Sequence, residues 1–163
     1  MQKQAKAVIL PAMKPPMPAA DIAAVYTFAP DSHQQELRRP LFVCSVSAGF
    51  PSPADDYIEG ELDLNRLLVD NPPATFFVRV AGDSMTGAGI HHHDILVVDR
   101  SLAPTPGKVV IAVVDGELTV KRFCKDGDRL RLAAANPDYP DLVPAEESSV
   151  TIWGVVVHVI HSL

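Results

Sequence analysis

Val78-Arg79-Val80-Ala81-Gly82-Asp83-Ser84-Met85 is the stretch from which the rest of the chain can be read, together with Leu118-Thr119-Val120-Lys121-Arg122 further on. In the first segment the alternating apolar residues of a strand stop at Gly82, so Ser84 is delivered on a turn just past the strand end. A reactive hydroxyl can be presented there. In the second segment Lys121 follows Leu118 and Val120 in a β-like run, a setting that desolvates an amine and favours its neutral form. A neutral lysine can take a proton from a serine. Neither element is specific alone, since Gly-Asp-Ser is a common turn and a lysine ending a strand is usually solvated.

A wider set of residues gives the pair its context. Gly82-Asp83-Ser84-Met85 is followed by Gly89-Ile90, by Asp94-Ile95-Leu96-Val97-Val98-Asp99 and by Asp115-Gly116-Glu117-Leu118-Thr119-Val120-Lys121. Upstream stands Ser47-Ala48-Gly49-Phe50-Pro51-Ser52-Pro53-Ala54. In order and gaps these segments resemble the LexA/UmuD family of self-cleaving Ser-Lys proteins, over roughly residues 47 to 160. The resemblance implies Ser84 as nucleophile, Lys121 as general base and Ala48-Gly49 as the bond cut. It implies a strongly curved, mostly antiparallel β domain, like that of LexA and the signal peptidases. No cofactor or metal is implied.

The chain has 163 residues, 47% of them hydrophobic, enough for one folded unit with a modest core. Its formal charge of -6 does not favour a protein that grips nucleic acid by its phosphates. The charge is uneven: five Lys/Arg stand against three Asp/Glu before Gly49, and nine against seventeen from Gly49 onward. Cleavage there separates a basic arm from an acidic body. Cys44 and Cys124 make no disulfide framework and no metal-binding spacing, which fits a reducing cytoplasm. The apolar run Ala7-Val8-Ile9-Leu10, behind Lys3 and Lys6, is stopped by Pro11 too early for a secretion signal. No stretch approaches the ~20 apolar residues of a membrane span. That argues against a signal peptidase, which uses a Ser-Lys pair at a membrane.

Residues 1–48 carry Pro11, Pro15, Pro16, Pro18, Pro30 and Pro40, a density that leaves no room for packed helices. They read as an extended arm removed by self-cleavage, with short helical or strand pieces possible at Asp21 to Phe28 and Leu41 to Val46. LexA-like repressors carry a helix-turn-helix in this position, a motif that needs packed helices and a basic recognition face. The resemblance is therefore to the UmuD branch. Residues 49–74 read as a linker, extended over Gly49 to Pro53, and one short helix. Asp63 caps that helix, and Leu64, Leu67 and Leu68 form a packing or dimer face before Pro72-Pro73. Residues 75–163 read as the β-rich peptidase and dimerisation domain. Strands are expected at Phe76 to Val80, Ile95 to Val98, Lys108 to Val114, Glu117 to Phe123, Arg129 to Ala133 and Val150 to Ile160. Asp115-Gly116 makes a tight hairpin turn that fixes the register of Lys121. Trp153 and Gly154 to Val159 are expected to close the core.

His91-His92-His93 invites a metal, but three consecutive side chains cannot converge on one ion from one turn, so a solvent-exposed turn is expected. The family usually has glycine where His93 stands, and histidine tolerates the left-handed conformation better than most residues. Neither cysteine is paired with a base in the sequence. The backbone N–H groups of Asp83, Ser84 and Met85 are the expected oxyanion hole. Ala48 and Gly49 suit a scissile bond because small side chains allow close backbone approach, and Val46 and Phe50 are candidates for flanking pockets. The chain between Gly49 and Ser84 permits cutting within one molecule or across a dimer.

Two classes of function follow. Either the chain is a peptidase that acts once, on itself, or the cut is only a switch and the lasting role is binding. The resemblance implies both: a RecA–DNA filament stimulates self-cleavage, and the processed homodimer joins a UmuC-like error-prone polymerase in translesion synthesis, with no membrane and no specific DNA contact. The alternative is a LexA-like or phage-type regulator of transcription whose DNA-binding part lies on another chain.

Overall fold

The computed structural model describes residues 22–27, 38–42 and 58–163. In chain order the elements are β1 (Ile22–Thr27), β2 (Arg38–Phe42), β3 (Ile58–Asp63), α1 (Leu64–Leu68), β4 (Thr75–Val80), β5 (Ile95–Asp99), β6 (Val109–Val114), β7 (Glu117–Asp126), β8 (Arg129–Ala133) and β9 (Val150–Ile160). The protein is mainly β, and among the described residues every strand pairing is antiparallel.

Of the described residues, 22–27 and 71–163 belong to one compact unit. Its sheet has the order β1-β4-β5-β9-β6-β7-β8. β4 alternates as its sequence does: Phe76, Val78 and Val80 are buried, while Phe77 and Arg79 between them are half-buried. β5 sits between β4 and β9, and Leu96, Val97 and Val98 are all fully buried, as a continuous apolar run covered on both faces requires. β9 serves two neighbours. Val155 to Ile160 pair with β5 and Val150 to Val155 with β6, and the ladders break register at Val97/Val98 and Ile111/Ala112. Such bulges bend a strand and raise its twist, and the buried apolar residues form two clusters. Gly154 lies at the bend, where a Cβ would come within 2.8 Å of Val98 Cγ1 and 2.9 Å of the Asp99 carbonyl oxygen.

Trp153 meets Phe76 edge to face at 5.9 Å and carries the Arg100 guanidinium 4.9 Å above its ring. The apolar run of β9 closes the core only as far as Val156, because Val157, Val159 and Ile160 are exposed.

Described residues 38–42 and 58–70 belong to the second unit. In it β2 pairs with β3, from Arg38 opposite Asp63 to Phe42 opposite Ile58. Asp63 caps α1 as expected, its Oδ1 accepting the Asn65 N–H at 2.9 Å. With one turn and a bit of helix, however, the leucines do not gather into a buried stripe: Leu64 and Leu67 are 57% and 51% exposed. α1 therefore buries none of its residues, which goes against the packing alternative of the packing or dimer face read from their spacing. β3 falls in the segment read as linker, although Ile58, Gly60 and Leu62 alternate with Glu59, Glu61 and Asp63 in the period of a strand. The bond Ala48-Gly49, its neighbours Val46 and Phe50, and Cys44 lie outside the described residues.

Candidate active site

The register of Lys121 begins at the hairpin. Asp115 and Gly116 both take positive φ, 51° and 88°, which joins β6 to β7 with Val114 opposite Glu117 and Lys121 opposite Val110. The turn is anchored at its tip: Asp115 N donates to Ser149 O at 2.9 Å, and Ser149 N to Asp115 Oδ1 at 2.8 Å.

Ser84 arrives from the end of β4, which β5, β9 and β6 separate from β7 in the sheet order. β4 ends where the turn at 91–94 folds over it, with Val80 N donating to Asp94 O and His93 N to Val80 O. Gly82, at φ 93°, turns the chain, and its N–H donates to His92 Nδ1 at 3.0 Å. Beyond Ser84, Met85 and Ile90 are sunk in the core, and the chain between them makes a short 3-10 turn closed by Gly89 at φ 73°. The serine is thus held between a β-strand end and a buried anchor.

The two predicted residues meet. Lys121 Nζ stands 2.8 Å from Ser84 Oγ and 3.0 Å from the Val120 carbonyl oxygen to which it donates. Ser84 is 2% exposed and Lys121 6%. Lys121 also lines a groove of about 710 Å³ whose walls include Gly82, Leu118, Thr119, Tyr139 and Leu142. That volume lies within the range of ligand-binding clefts. Among the described residues no acceptor takes the N–H of Asp83, Ser84 or Met85.

Sequence reading missed the brace behind the turn. Ala135 N donates to Ser84 O at 2.9 Å, Gly87 N to Ala135 O at 2.6 Å, and Asn136 Nδ2 to Asp83 O at 2.9 Å. Asn136-Pro137 is a turn signal, but nothing local says which distant turn it touches.

The histidine run is an exposed turn, and His93 takes φ 75°, the left-handed conformation expected of it. What the sequence did not disclose is the partner of Asp94. His161 Nδ1 lies 2.6 Å from Asp94 Oδ1, and the His91 N–H donates to Asp94 Oδ2 at 2.8 Å. Burial pushes the Asp94 carboxyl up, but the His91 N–H, the His161 hydrogen bond and the two imidazole charges outweigh it and hold the group below its ordinary value. His91, Asp94 and His161 place potential ligand atoms within 4.8 Å of one another, although the His161–Asp94 contact is that of a hydrogen bond. Cys124 is a half-buried free thiol on β7. No helix among the described residues is long and apolar enough to cross a membrane.

The profile of the family described as Peptidase S24-like matches residues 40–157. The chain belongs to the Peptidase S24-like family. This places it among serine peptidases, with the fold that the resemblance implied. The S24-like chain is 48% identical to Protein ImpA of Salmonella typhimurium over 124 residues, which is 76% of this chain and 83% of that protein. It is 48% identical to Protein SamA of Salmonella typhimurium over 133 residues, 82% and 92% of the two. With Protein MucA of Escherichia coli it shares 45% over 120 residues, 73% and 82%. These are relatives of the UmuD type, and the S24-like chain aligns with most of their length.

Proposed function

We propose that this protein cuts its own Ala48-Gly49 bond once, with Ser84 as nucleophile and Lys121 as general base. The observation that carries the reading is the 2.8 Å separation of Lys121 Nζ and Ser84 Oγ in a buried setting beside the groove. Uncharged Lys121 takes the hydroxyl proton as Ser84 Oγ attacks the Ala48 carbonyl carbon. The N–H groups at Asp83, Ser84 and Met85 receive the developing oxyanion, each such donor being worth roughly 3 kcal/mol in comparable sites. The C–N bond then breaks, and the lysine ammonium gives its proton to the leaving Gly49 amine. Water, deprotonated by the same lysine, hydrolyses the Ala48–Ser84 ester and restores the enzyme.

The brace from Ala135 and Asn136 supports this reading, because a nucleophile held to a fraction of an ångström needs a rigid turn. By family kinship, the cut is a switch in SOS mutagenesis. A RecA–DNA filament stimulates it by favouring the conformer with Ala48-Gly49 in the groove. The processed homodimer then serves in the cytoplasm as accessory subunit of a UmuC-like error-prone polymerase.

The test is to incubate the purified protein and weigh its fragments. One cut after Ala48 is expected in the wild type, with none in Ser84→Ala or Gly49→Glu while circular dichroism shows both folded. Cutting of the Ser84→Ala protein at that bond would overturn the assignment.

A further inference from the structure

The proposed scissile bond has a particular relation to the strand ladders. β1 lies before residue 48 and pairs with β4, which lies after residue 49: Ile22 is opposite Val80, Val25 opposite Val78 and Thr27 opposite Phe76. β2 likewise lies before the bond and pairs with β3, which lies after it. Arg38 Nη1 adds an ion pair to Glu61 Oε2 at 3.3 Å across that second ladder. Ile22 is buried in the same apolar cluster as Val78, Val80, Met85 and Val120. Hydrolysis between residues 48 and 49 breaks none of these contacts.

We propose that fragment 1–48 stays bound to fragment 49–163 after the cut, and that the edge of β4 is a strand-acceptor surface whose resident occupant is Ile22–Thr27. The inference rests on the proposed cleavage position. β1 is the outermost strand beside β4 in the sheet order, so its departure bares a row of backbone donors and acceptors on β4. An extended segment of another chain binds such an edge by adding a strand. The two fragments also carry opposite net charge, with five Lys/Arg against three Asp/Glu in the first and nine against seventeen in the second. Attraction between them opposes release. What the cut removes is the covalent tether: β1 passes from an intramolecular contact, held at high effective concentration, to one that can exchange. Cleavage is then the permission for strand exchange, and departure of the arm is a separate step.

The experiment makes the cut without using the protein's own chemistry. A recognition sequence for a site-specific protease is inserted between Gly49 and Phe50 in the Ser84→Ala protein, the chain is nicked, and native mass spectrometry records what remains together. The expected species contains both fragments. A labelled synthetic peptide of residues 20–29 should enter the nicked protein in exchange for its own strand, and should fail to enter the intact chain. Ile22→Asp, confirmed folded before nicking, should release its fragment faster than the parent. Separation of the parent's fragments on nicking, or exclusion of the peptide from the nicked protein, would overturn the proposal. Self-cleavage is scored separately in untreated wild type, so its failure is not confused with fragment release.

Discussion

Gly87→Ala places one methyl group at the point where the nucleophile turn leans on its brace. A Cβ there collides with the Ala135 carbonyl oxygen and comes within 3.3 Å of the carbonyl carbon, so backbone rather than a flexible side chain must move. Gly87 N also donates to that oxygen at 2.6 Å, and Ala135 N to Ser84 O, so the displacement reaches the nucleophile through two hydrogen bonds. Overpacking of this kind costs about 2 kcal/mol, within a usual range of ~1–3. In a chain of this size that lowers Tm by roughly 4–8 °C. A misplacement of about 1 Å at a reacting atom costs on the order of 100-fold in rate. The assay is the first-order rate of self-cleavage, measured well below the melting temperature of the variant. Gly154→Ala is the control: its Cβ meets Val98 and the Asp99 backbone within the sheet, so it should destabilise comparably and leave the rate per folded molecule within about 3-fold of wild type. A Gly87→Ala protein that is destabilised as expected but cleaves at the wild-type rate would refute the idea that the brace sets the position of Ser84.

Three further outcomes follow from the same geometry. Asn136→Ala removes the Nδ2 donor to Asp83 O and should slow cleavage about 10-fold with a stability loss near ~1 kcal/mol; an unchanged rate would make that hydrogen bond incidental. His93→Gly relieves a φ of 75° and should raise stability by about 0.5 kcal/mol after glycine's own entropic cost, measured by denaturant titration; a lower midpoint would show that the ring contact with His92 at 3.8 Å outweighs the strain. Asp94, faced by His91 and His161, has a folded carboxyl below its ordinary 3.8, so its contribution is fully present above that pH and is lost as pH falls through the lower folded value. Asp94→Asn should therefore cost about 2 kcal/mol at neutral pH and flatten the decline of stability below pH ~4; an unchanged acid limb would contradict the linkage.

Much of the β body was legible because its signals are local. Ile95, Val109, Glu117, Arg129 and Val150 begin strands within one residue of where alternation and turn residues put them. Asp115-Gly116 announced the hairpin that sets Lys121, and a single short turn of chemistry announced Ser84. β7 runs on to Asp126 because β8 pairs with its end, which a strand read alone does not reveal. β1 and β2 fall in a proline-rich stretch whose extended character was readable but whose partners were not, since pairing depends on residues 49 to 58 positions away for β1 and on Ile58–Asp63 for β2. For the same reason the contacts of Asn136 with Asp83 and of His161 with Asp94 were invisible: each joins two unremarkable polar residues across the fold.

The measurement that bears most directly on the Ser-Lys reading is the first-order cleavage rate against pH for wild type, Lys121→Ala and Lys121→Arg, each confirmed folded by circular dichroism. An amine that acts as a base works only when uncharged, so wild-type cleavage should climb from neutral to alkaline pH and then level off. Both variants should be inactive throughout, because alanine has no base and arginine stays charged across this range. Cleavage by the arginine variant would exclude Lys121 as general base, and a flat wild-type profile would contradict a lysine that must lose its proton before Ser84 can attack.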